Sequence, residues 1–440
     1  MDKIVIRGGQ RLAGSIRASG AKNAALPILI ATLVAPGEHR IANVPELADI
    51  SSTLSLLGRI GCPSLDSRAG GPSGSEITRL DTSRIAFCEA PYDVVRKMRA
   101  SVLVLGPLLA RCGEARVSLP GGCAIGVRPI DQHLKGLEAL GCTFKLEGGY
   151  VYGRADVLKG AEMRLDMPTV TGTENIVMAA VLADGTTVIH NAAREPEVVD
   201  LCNFLVACGA KIEGAGEDTI VIHGVSRLSP APRPYRILPD RIETGTYLCA
   251  AAVTRGDITV TETDPSIMGS TLEKLREAGC DVEVGADSIR LRADRPLRPF
   301  QLTTEPHPGF PTDMQAQLMT LACFAEGEST LVETIFENRF MHAAELLRMG
   351  AVIETRGNTA KVMGRGKLTG AAVMASDLRA SAALVLAGLA AEGITEVLRI
   401  YHLDRGYADM VGKLRTLGAG IARVDEAVRD TGELARATGA

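Results

Sequence analysis

Leu275-Arg276-Glu277-Ala278-Gly279-Cys280 decides the architecture: a leucine, a glycine four residues on, then a small residue. The same ending, or a close variant, occurs at Leu57–Cys62, Leu137–Cys142, Leu205–Ala210, Leu346–Ala351 and Leu414–Ala419. The six glycines, Gly61, Gly141, Gly209, Gly279, Gly350 and Gly418, are 80, 68, 70, 71 and 68 residues apart. Glycine suits the position just past a helix, where a positive φ ends the helix at little steric cost. Working outward, a first, more apolar helix carries its own stop at Val34–Gly37, Leu182–Gly185, Val253–Gly256, Phe324–Gly327 and Ala390–Gly393. A β-branched strand follows, as in Thr186–His190, Ile258–Thr261 and Ser329–Val332.

A repeat near 70 residues is too long for a solenoid of helix pairs. Each copy holds two helices and three or four short strands, too little for an independent core. Three copies packed around shared helices would bury the apolar faces. Six copies therefore predict an α/β protein of two three-fold domains, with the cleft between domains as the expected ligand site. The glycine-following Cys62, Cys142 and Cys280 occupy the position held by Ala210, Ala351 and Ala419 in the other copies, so they read as small core residues. Cys202, Cys208, Cys249 and Cys323 read the same way on helical apolar faces.

Composition narrows the function. The 440 residues are 46% apolar and 23% charged, ordinary for a globular chain, and the cores rest on aliphatic side chains because aromatics are only 3%. A net charge of −4 argues against a general nucleic-acid binder. The start of the chain lacks the pattern of a signal peptide, and the apolar stretches Ala24–Ala35 and Ala380–Ala391 are too short to span a bilayer. They read as buried helices. The ten cysteines form no C-x-x-C pair or zinc spacing, which fits reduced thiols in a cytoplasmic protein. No phosphate loop or dinucleotide fingerprint is present, and Gly364–Lys367 reads as a turn.

Several segments depart from the repeat. Cys123 lies in Leu119-Pro120-Gly121-Gly122-Cys123-Ala124-Ile125-Gly126-Val127-Arg128-Pro129, a loop sequence with cationic neighbours that would favour a thiolate. Spacing alone leaves open an incidental cysteine on a surface loop. Ser19–Pro27 puts small residues and Lys22 ahead of a helix, a site for an anion or simply a solvated lysine. Arg99, Asp313 and Arg379 fall at corresponding starts of first helices, where guanidinium forks suit carboxylates and phosphates. Each could equally form a surface salt bridge.

Ser19–Pro27, Pro120–Asp131, Phe310–Gln317, Phe336–His342, Asp377–Ser381 and Tyr401–Tyr407 together closely resemble the UDP-N-acetylglucosamine 1-carboxyvinyltransferase family of enolpyruvyl transferases. The sharpest signature is Pro-Gly-Gly-Cys followed by Arg-Pro-Ile-Asp, and the resemblance runs from about Met1 to Val424. It implies two inside-out α/β barrel domains, each of three repeated units with buried helices and outer sheets. One would cover residues 22–238; the other would join 1–21 to 239–440, with a polar tail from about 425.

The resemblance also implies the chemistry. The 3-hydroxyl of UDP-N-acetylglucosamine adds to C2 of phosphoenolpyruvate as C3 gains a proton, and phosphate leaves the resulting ketal. Cys123 would protonate C3 and can bond the enolpyruvyl group; Asp313 would take the hydroxyl proton. Lys22, Arg128 and Arg405 would hold the phosphate, and Arg379 the carboxylate side, with Asn23 nearby. Arg99, Arg128, Pro129, Ile130, Asp131, Gln132, Asp313 and Ile335 would bind the UDP-sugar, with Asn23 adjoining it. No metal or organic cofactor is implied, and no nucleic-acid or membrane partner. Met167 stands where several relatives carry lysine, which removes a charged contact to the nucleotide, and Asp66–Glu76 looks like a longer hairpin loop. Two rival readings remain: the shikimate-pathway enolpyruvyl transferase, which lacks the Pro-Gly-Gly-Cys loop, and a catalytically silent paralogue that binds the UDP-sugar.

Overall fold

The computed structural model describes residues 2–65, 77–95, 98–119, 130–425 and 427. The segment Asp66–Glu76, the centre of the Cys123 loop and residues 428–440 of the tail lie outside them. The described residues form two compact units, one of residues 2–18 with 239–427 and one within 19–238. Each contains three sheets.

All six motif glycines adopt a positive φ, between 90° and 105°. In every copy the N–H of the small residue after the glycine donates to the carbonyl of the motif leucine, at 2.8–3.1 Å, from Cys62→Leu57 to Ala419→Leu414. This six-to-one bond satisfies a carbonyl the ending helix would leave bare, which explains the spacing. The side chain after the glycine must be small because it turns back into the interior; Cys62, Cys142, Cys280 and Ala210 are buried there. The nine described cysteines are free, and the seven read as core are all buried.

The first helices are buried on nearly every side. In the unit holding 239–427 they are Arg241–Val253, Gln315–Phe324 and Leu378–Ala390, and all three pack on one another. Every residue of Gln315–Phe324 is buried, so no amphipathic stripe is needed. In the other unit Lys22–Ala31, Leu105–Cys112 and Val170–Ala180 occupy the same places in their repeats. Gly106 lets Leu105–Cys112 approach Val170–Ala180: a Cβ there would lie 2.3 Å from the Asn175 carbonyl oxygen.

The sheets cover these helices with one face in and one out, as in Thr359–Arg365, where buried and outward residues alternate. Thr186–His190 shows the common order. It runs parallel to Glu162–Arg164 and antiparallel to Thr219–His223, which pairs antiparallel with Lys211–Glu213. Four other sheets follow this order; the sixth has three strands, Tyr235–Arg236, Glu38–Ala42 and Ile77–Asp81, with a bridge from Ser64 to Leu80. In each unit a strand distant in sequence completes a sheet. Asp2–Arg7 lies between Ile394–Leu398 and Gly420–Asp425, and Tyr235–Arg236 joins Glu38–Ala42.

Three local expectations are refined. At Val253–Gly256 the left-handed residue is Arg255, not Gly256; a Cβ on Gly256 would stand 2.5 Å from the Leu12 carbonyl oxygen, so glycine serves close packing there. Gly364 and Arg365 end a strand, and the turn falls on Gly366, with φ 72°. Arg99 and Asp313 sit in 3-10 turns, Arg99–Val104 and Thr312–Met314, which precede the first helices.

Candidate active site

The unit holding residues 239–427 gathers polar side chains at the N-terminal ends of its buried helices. Asp313 is placed by the turn Thr312–Met314, which leads into Gln315–Phe324. Arg379 lies in the first turn of Leu378–Ala390, fixed by its cap: the Asp377 carboxylate accepts from the backbone N–H groups of Arg379 (2.9 Å) and Ala380 (3.0 Å). The two meet directly, Arg379 Nη2 donating to Asp313 Oδ2 at 2.8 Å. Arg339 Nη2 donates to the other oxygen, Oδ1, also at 2.8 Å. Both arginines are almost wholly buried, whereas the Asp313 side chain keeps 26% of its exposure.

Electrostatics follow from that geometry. Burial pushes the Asp313 carboxyl up, but Arg379 and then Arg339 more than reverse the effect and hold it well below the usual carboxylate range. It is ionised throughout the neutral range. Among the described residues the buried Nε and Nη1 of Arg379 meet no hydrogen-bond partner. Its guanidinium lies 5.5 Å from the centre of the Tyr407 ring. Tyr407 Oη is 3.0 Å from Thr246 Oγ1, and Gln317 Nε2 donates to both hydroxyls. Thr246, Gln317 and Arg379 come from the three buried helices, so the packing that forms the core also sets Arg379. A buried cation with unused forked donors beside a carboxylate is a seat for a small anion.

Arg405 ends the 3-10 turn Ile400–Arg405, two residues before Tyr407. Ile335 follows the strand Glu326–Val332, and its N–H donates to Glu333 Oε1 at 2.9 Å.

In the other unit, Lys22 opens the helix Lys22–Ala31. Its Nζ stands 2.6 Å from Asp49 Oδ2, with both side chains under 10% exposed. A solvated lysine is thereby ruled out. Asn23 beside it is exposed. Ile130 caps the helix Asp131–Ala139. Gln132 is buried, and its amide is engaged by Asp166: Nε2 donates to Oδ2 at 2.9 Å and Oε1 accepts the Asp166 N–H at 3.0 Å. Lys135 and then Gln132 hold the Asp166 carboxyl below its ordinary value. Met167, next in line, is exposed. Arg99 starts its 3-10 turn. Cys123, Arg128 and Pro129 lie outside the described residues.

Two residues here escaped sequence reasoning. Arg339 sits inside the family-like segment Phe336–His342, yet nothing in its spacing points to Asp313. Asp49 lies in the first turn of Ala48–Ile60, where an acid is favoured by the helix dipole alone. Among the described residues no three His, Cys, Asp or Glu side chains gather to hold a metal, and no helix is long and apolar enough to cross a membrane.

Comparison with known proteins supplies the family. The model of EPSP synthase (3-phosphoshikimate 1-carboxyvinyltransferase) matches residues 6–414. UDP-N-acetylglucosamine 1-carboxyvinyltransferase of Dichelobacter nodosus (strain VCS1703A) is 56% identical over 427 residues, 97% of this chain and 100% of that protein. The protein of the same description from Geotalea uraniireducens (strain Rf4) is 53% identical over 426 residues, with the same coverage. Among solved structures, the enolpyruvyl transferase NikO from Streptomyces tendae superposes with a TM-score of 0.84 at 29% identity, covering 96% of this chain and 99% of its own. EPSP synthase from Acinetobacter baumannii gives 0.73 at 18% identity, covering 97% and 100%, and so shares the fold. Both fold and sequence agree along almost the whole length: the chain belongs to the UDP-N-acetylglucosamine 1-carboxyvinyltransferases of the enolpyruvyl transferase family.

Proposed function

We propose that the chain transfers the enolpyruvyl group of phosphoenolpyruvate to the 3-hydroxyl of UDP-N-acetylglucosamine, releasing phosphate, the first committed step of peptidoglycan precursor synthesis in the cytoplasm. The observation that carries the reading is the pairing of Asp313 with Arg379, a buried arginine whose Nε and Nη1 meet no hydrogen-bond partner among the described residues. Arg379 receives the donor carboxylate on that free edge. Asp313 takes the proton of the attacking hydroxyl, for which an ionised carboxylate within hydrogen-bond reach is required. Cys123 delivers a proton to C3 as the C2–O bond forms, giving a tetrahedral phosphate ketal. Loss of a C3 proton and of phosphate from C2 then restores the double bond in the product.

Lys22, Arg128 and Arg405 hold the phosphate, with Asn23 beside it; fixed cations stabilise charge that builds up in the ketal and its collapse. Arg99, Arg128, Pro129, Ile130, Asp131, Gln132, Asp313 and Ile335 form the UDP-sugar contacts, with Gln132 acting largely by holding the Asp166–Met167 segment. The family model's description favours a second acceptor, shikimate 3-phosphate. Identity above half to the UDP-sugar enzymes, against 18% to an EPSP synthase, weighs against it.

The test is release of inorganic phosphate from phosphoenolpyruvate with each acceptor in turn. Release with UDP-N-acetylglucosamine alone is expected. Release with shikimate 3-phosphate alone overturns the acceptor, and release with neither favours a silent UDP-sugar-binding protein.

A further inference from the structure

Of the nine described cysteines, only Cys88 and Cys112 are half-buried rather than buried. They lie 24 residues apart in sequence and meet in the fold, the Cys112 thiol hydrogen-bonded to the Cys88 side chain. Separate elements bring them together. Cys88 leads into the short strand Glu89–Ala90, which runs parallel to Glu114–Ser118, and its carbonyl accepts the Arg116 N–H at 2.8 Å. Just upstream, the N–H groups of Ala86 and Phe87 both donate to the Ile60 carbonyl, at 2.8 and 3.1 Å. Cys112 is the last residue of Leu105–Cys112, and Gly113, with φ 73°, turns the chain straight into Glu114–Ser118. The Gly113 N–H donates to the Leu109 carbonyl at 3.0 Å, and the Gly113 carbonyl accepts from the Ala155 N–H at 2.8 Å. Each sulfur is carried by hydrogen-bonded backbone, so the contact is set by the packing of helix on sheet.

The surroundings of the two sulfurs differ. Cys88 lines a cavity of about 690 Å³ with Phe87, Glu89, Arg116, Lys145 and Tyr152, and Cys112 is not part of its wall. Burial and then the neighbouring Cys88 push the Cys112 thiol up to about 12, against the pull of Arg111. Cys112 therefore keeps its proton through the neutral range, and Cys88 is the sulfur that a small solute meets in the cavity.

We propose that Cys88 and Cys112 form a redox-active pair, a modification site at which a hydroperoxide converts two thiols into one disulfide. The Cys88 sulfur attacks a peroxide oxygen and the O–O bond breaks, leaving a sulfenic acid on Cys88; with hydrogen peroxide, the departing oxygen takes the Cys88 proton and leaves as water. The Cys112 sulfur then attacks the Cys88 sulfur, the S–O bond breaks, and the hydroxyl leaves with the Cys112 proton as a second water. Two thiols lose two electrons and two protons, and the peroxide gains both. A dithiol reductant reverses the bridge by exchange. The ring that the bridge closes contains Arg99, and the strand after Cys112 ends five residues ahead of Cys123 in sequence. The site is chemically separate from Cys123 and needs no substrate.

The test treats the reduced, full-length protein with excess hydrogen peroxide, blocks the remaining thiols with iodoacetamide and maps peptides without reduction. The expected product is the Cys88 peptide joined to the Cys112 peptide, and dithiothreitol should return both thiols. In Cys112→Ser, which lacks the resolving sulfur, dimedone should trap a sulfenic acid on Cys88 that the parent protein does not accumulate. In Cys88→Ser no such adduct should appear on Cys112. Recovery of Cys88 and Cys112 as separate peptides, or of either joined to a different cysteine, overturns the pair. A dimedone adduct on Cys112 in Cys88→Ser overturns the assignment of Cys88 as the attacking sulfur. The mapping of the unaltered protein decides the pair even where a variant fails to fold.

Discussion

Replacing Arg379 with lysine asks whether the free edge of this arginine is the seat of the donor carboxylate. The arginine makes one bond to Asp313 and holds two further donors, Nε and Nη1, without a partner among the described residues. Lysine preserves the positive charge and one donor toward Asp313, but its ammonium cannot also present a planar pair of N–H groups to a carboxylate. Two charge-assisted hydrogen bonds at about 1.5–3 kcal/mol each are at stake. Together they come to about 3–6 kcal/mol, of which lysine recovers part through its charge, so about 3 kcal/mol is the working figure, or ~10²-fold in kcat/KM for phosphoenolpyruvate. Steady-state phosphate release measures it, varying phosphoenolpyruvate at saturating UDP-N-acetylglucosamine and then the reverse. The KM for the UDP-sugar should stay within about threefold, since uniform binding of that substrate is untouched. A thermal unfolding midpoint close to that of the parent protein guards against a folding defect. A kcat/KM for phosphoenolpyruvate within about tenfold of the parent value refutes the seat, because that is less than the loss of even one charge-assisted bond.

Other outcomes follow from different parts of the molecule. Fosfomycin, which alkylates the loop cysteine in this family, is expected to add once, at Cys123; peptide mapping that finds the adduct on any other cysteine contradicts the reading of the loop. Burial pushes the His342 imidazole down to about 4, with Asp377 opposing and Arg339 assisting. An unfolded histidine titrates near 6.5, so between these values the unfolded chain binds a proton that the folded one refuses, and stability falls as pH drops through this window, by up to about 3 kcal/mol. His342→Gln should flatten that slope in urea titrations run at several pH values; an unchanged slope assigns the acid sensitivity elsewhere. Gly209 has φ 105°, and a Cβ there would meet only Leu228 Cδ2 at an ordinary 3.9 Å, so Gly209→Ala should cost about 1–2 kcal/mol through backbone strain. Gly58 lies exposed inside the helix Ala48–Ile60 with nothing near a Cβ, and Gly58→Ala should stabilise by about 0.5–1 kcal/mol. Equal shifts in the unfolding midpoint for the two would undo the distinction between a helix end and a helix interior.

The repeat was legible because it is written in local terms. A left-handed glycine, a small residue behind it and a leucine five residues before that one specify a closing turn whose bonds stay within six residues. The apolar runs Ala24–Ala35 and Ala380–Ala391 likewise announced helices with no solvent face, and Lys22–Ala31 and Leu378–Ala390 are buried as expected. Asp313 and Arg379 stood out as charges at the starts of such helices, and they do meet.

What sequence could not reach are the partners chosen across distance. Arg339 comes to Asp313 from 26 residues away, Asp49 closes on Lys22, and Asp2–Arg7 pairs with Gly420–Asp425 at the far end of the chain. By itself the sequence determined the repeated unit, the helices it buries and the residue types able to carry the chemistry, because φ preference and apolar periodicity act over one or two turns. The tertiary structure alone decided which arginines reach Asp313, Arg379 on one carboxylate oxygen and Arg339 on the other. That choice depends on what each guanidinium touches once the three helices have packed, and no local pattern encodes it.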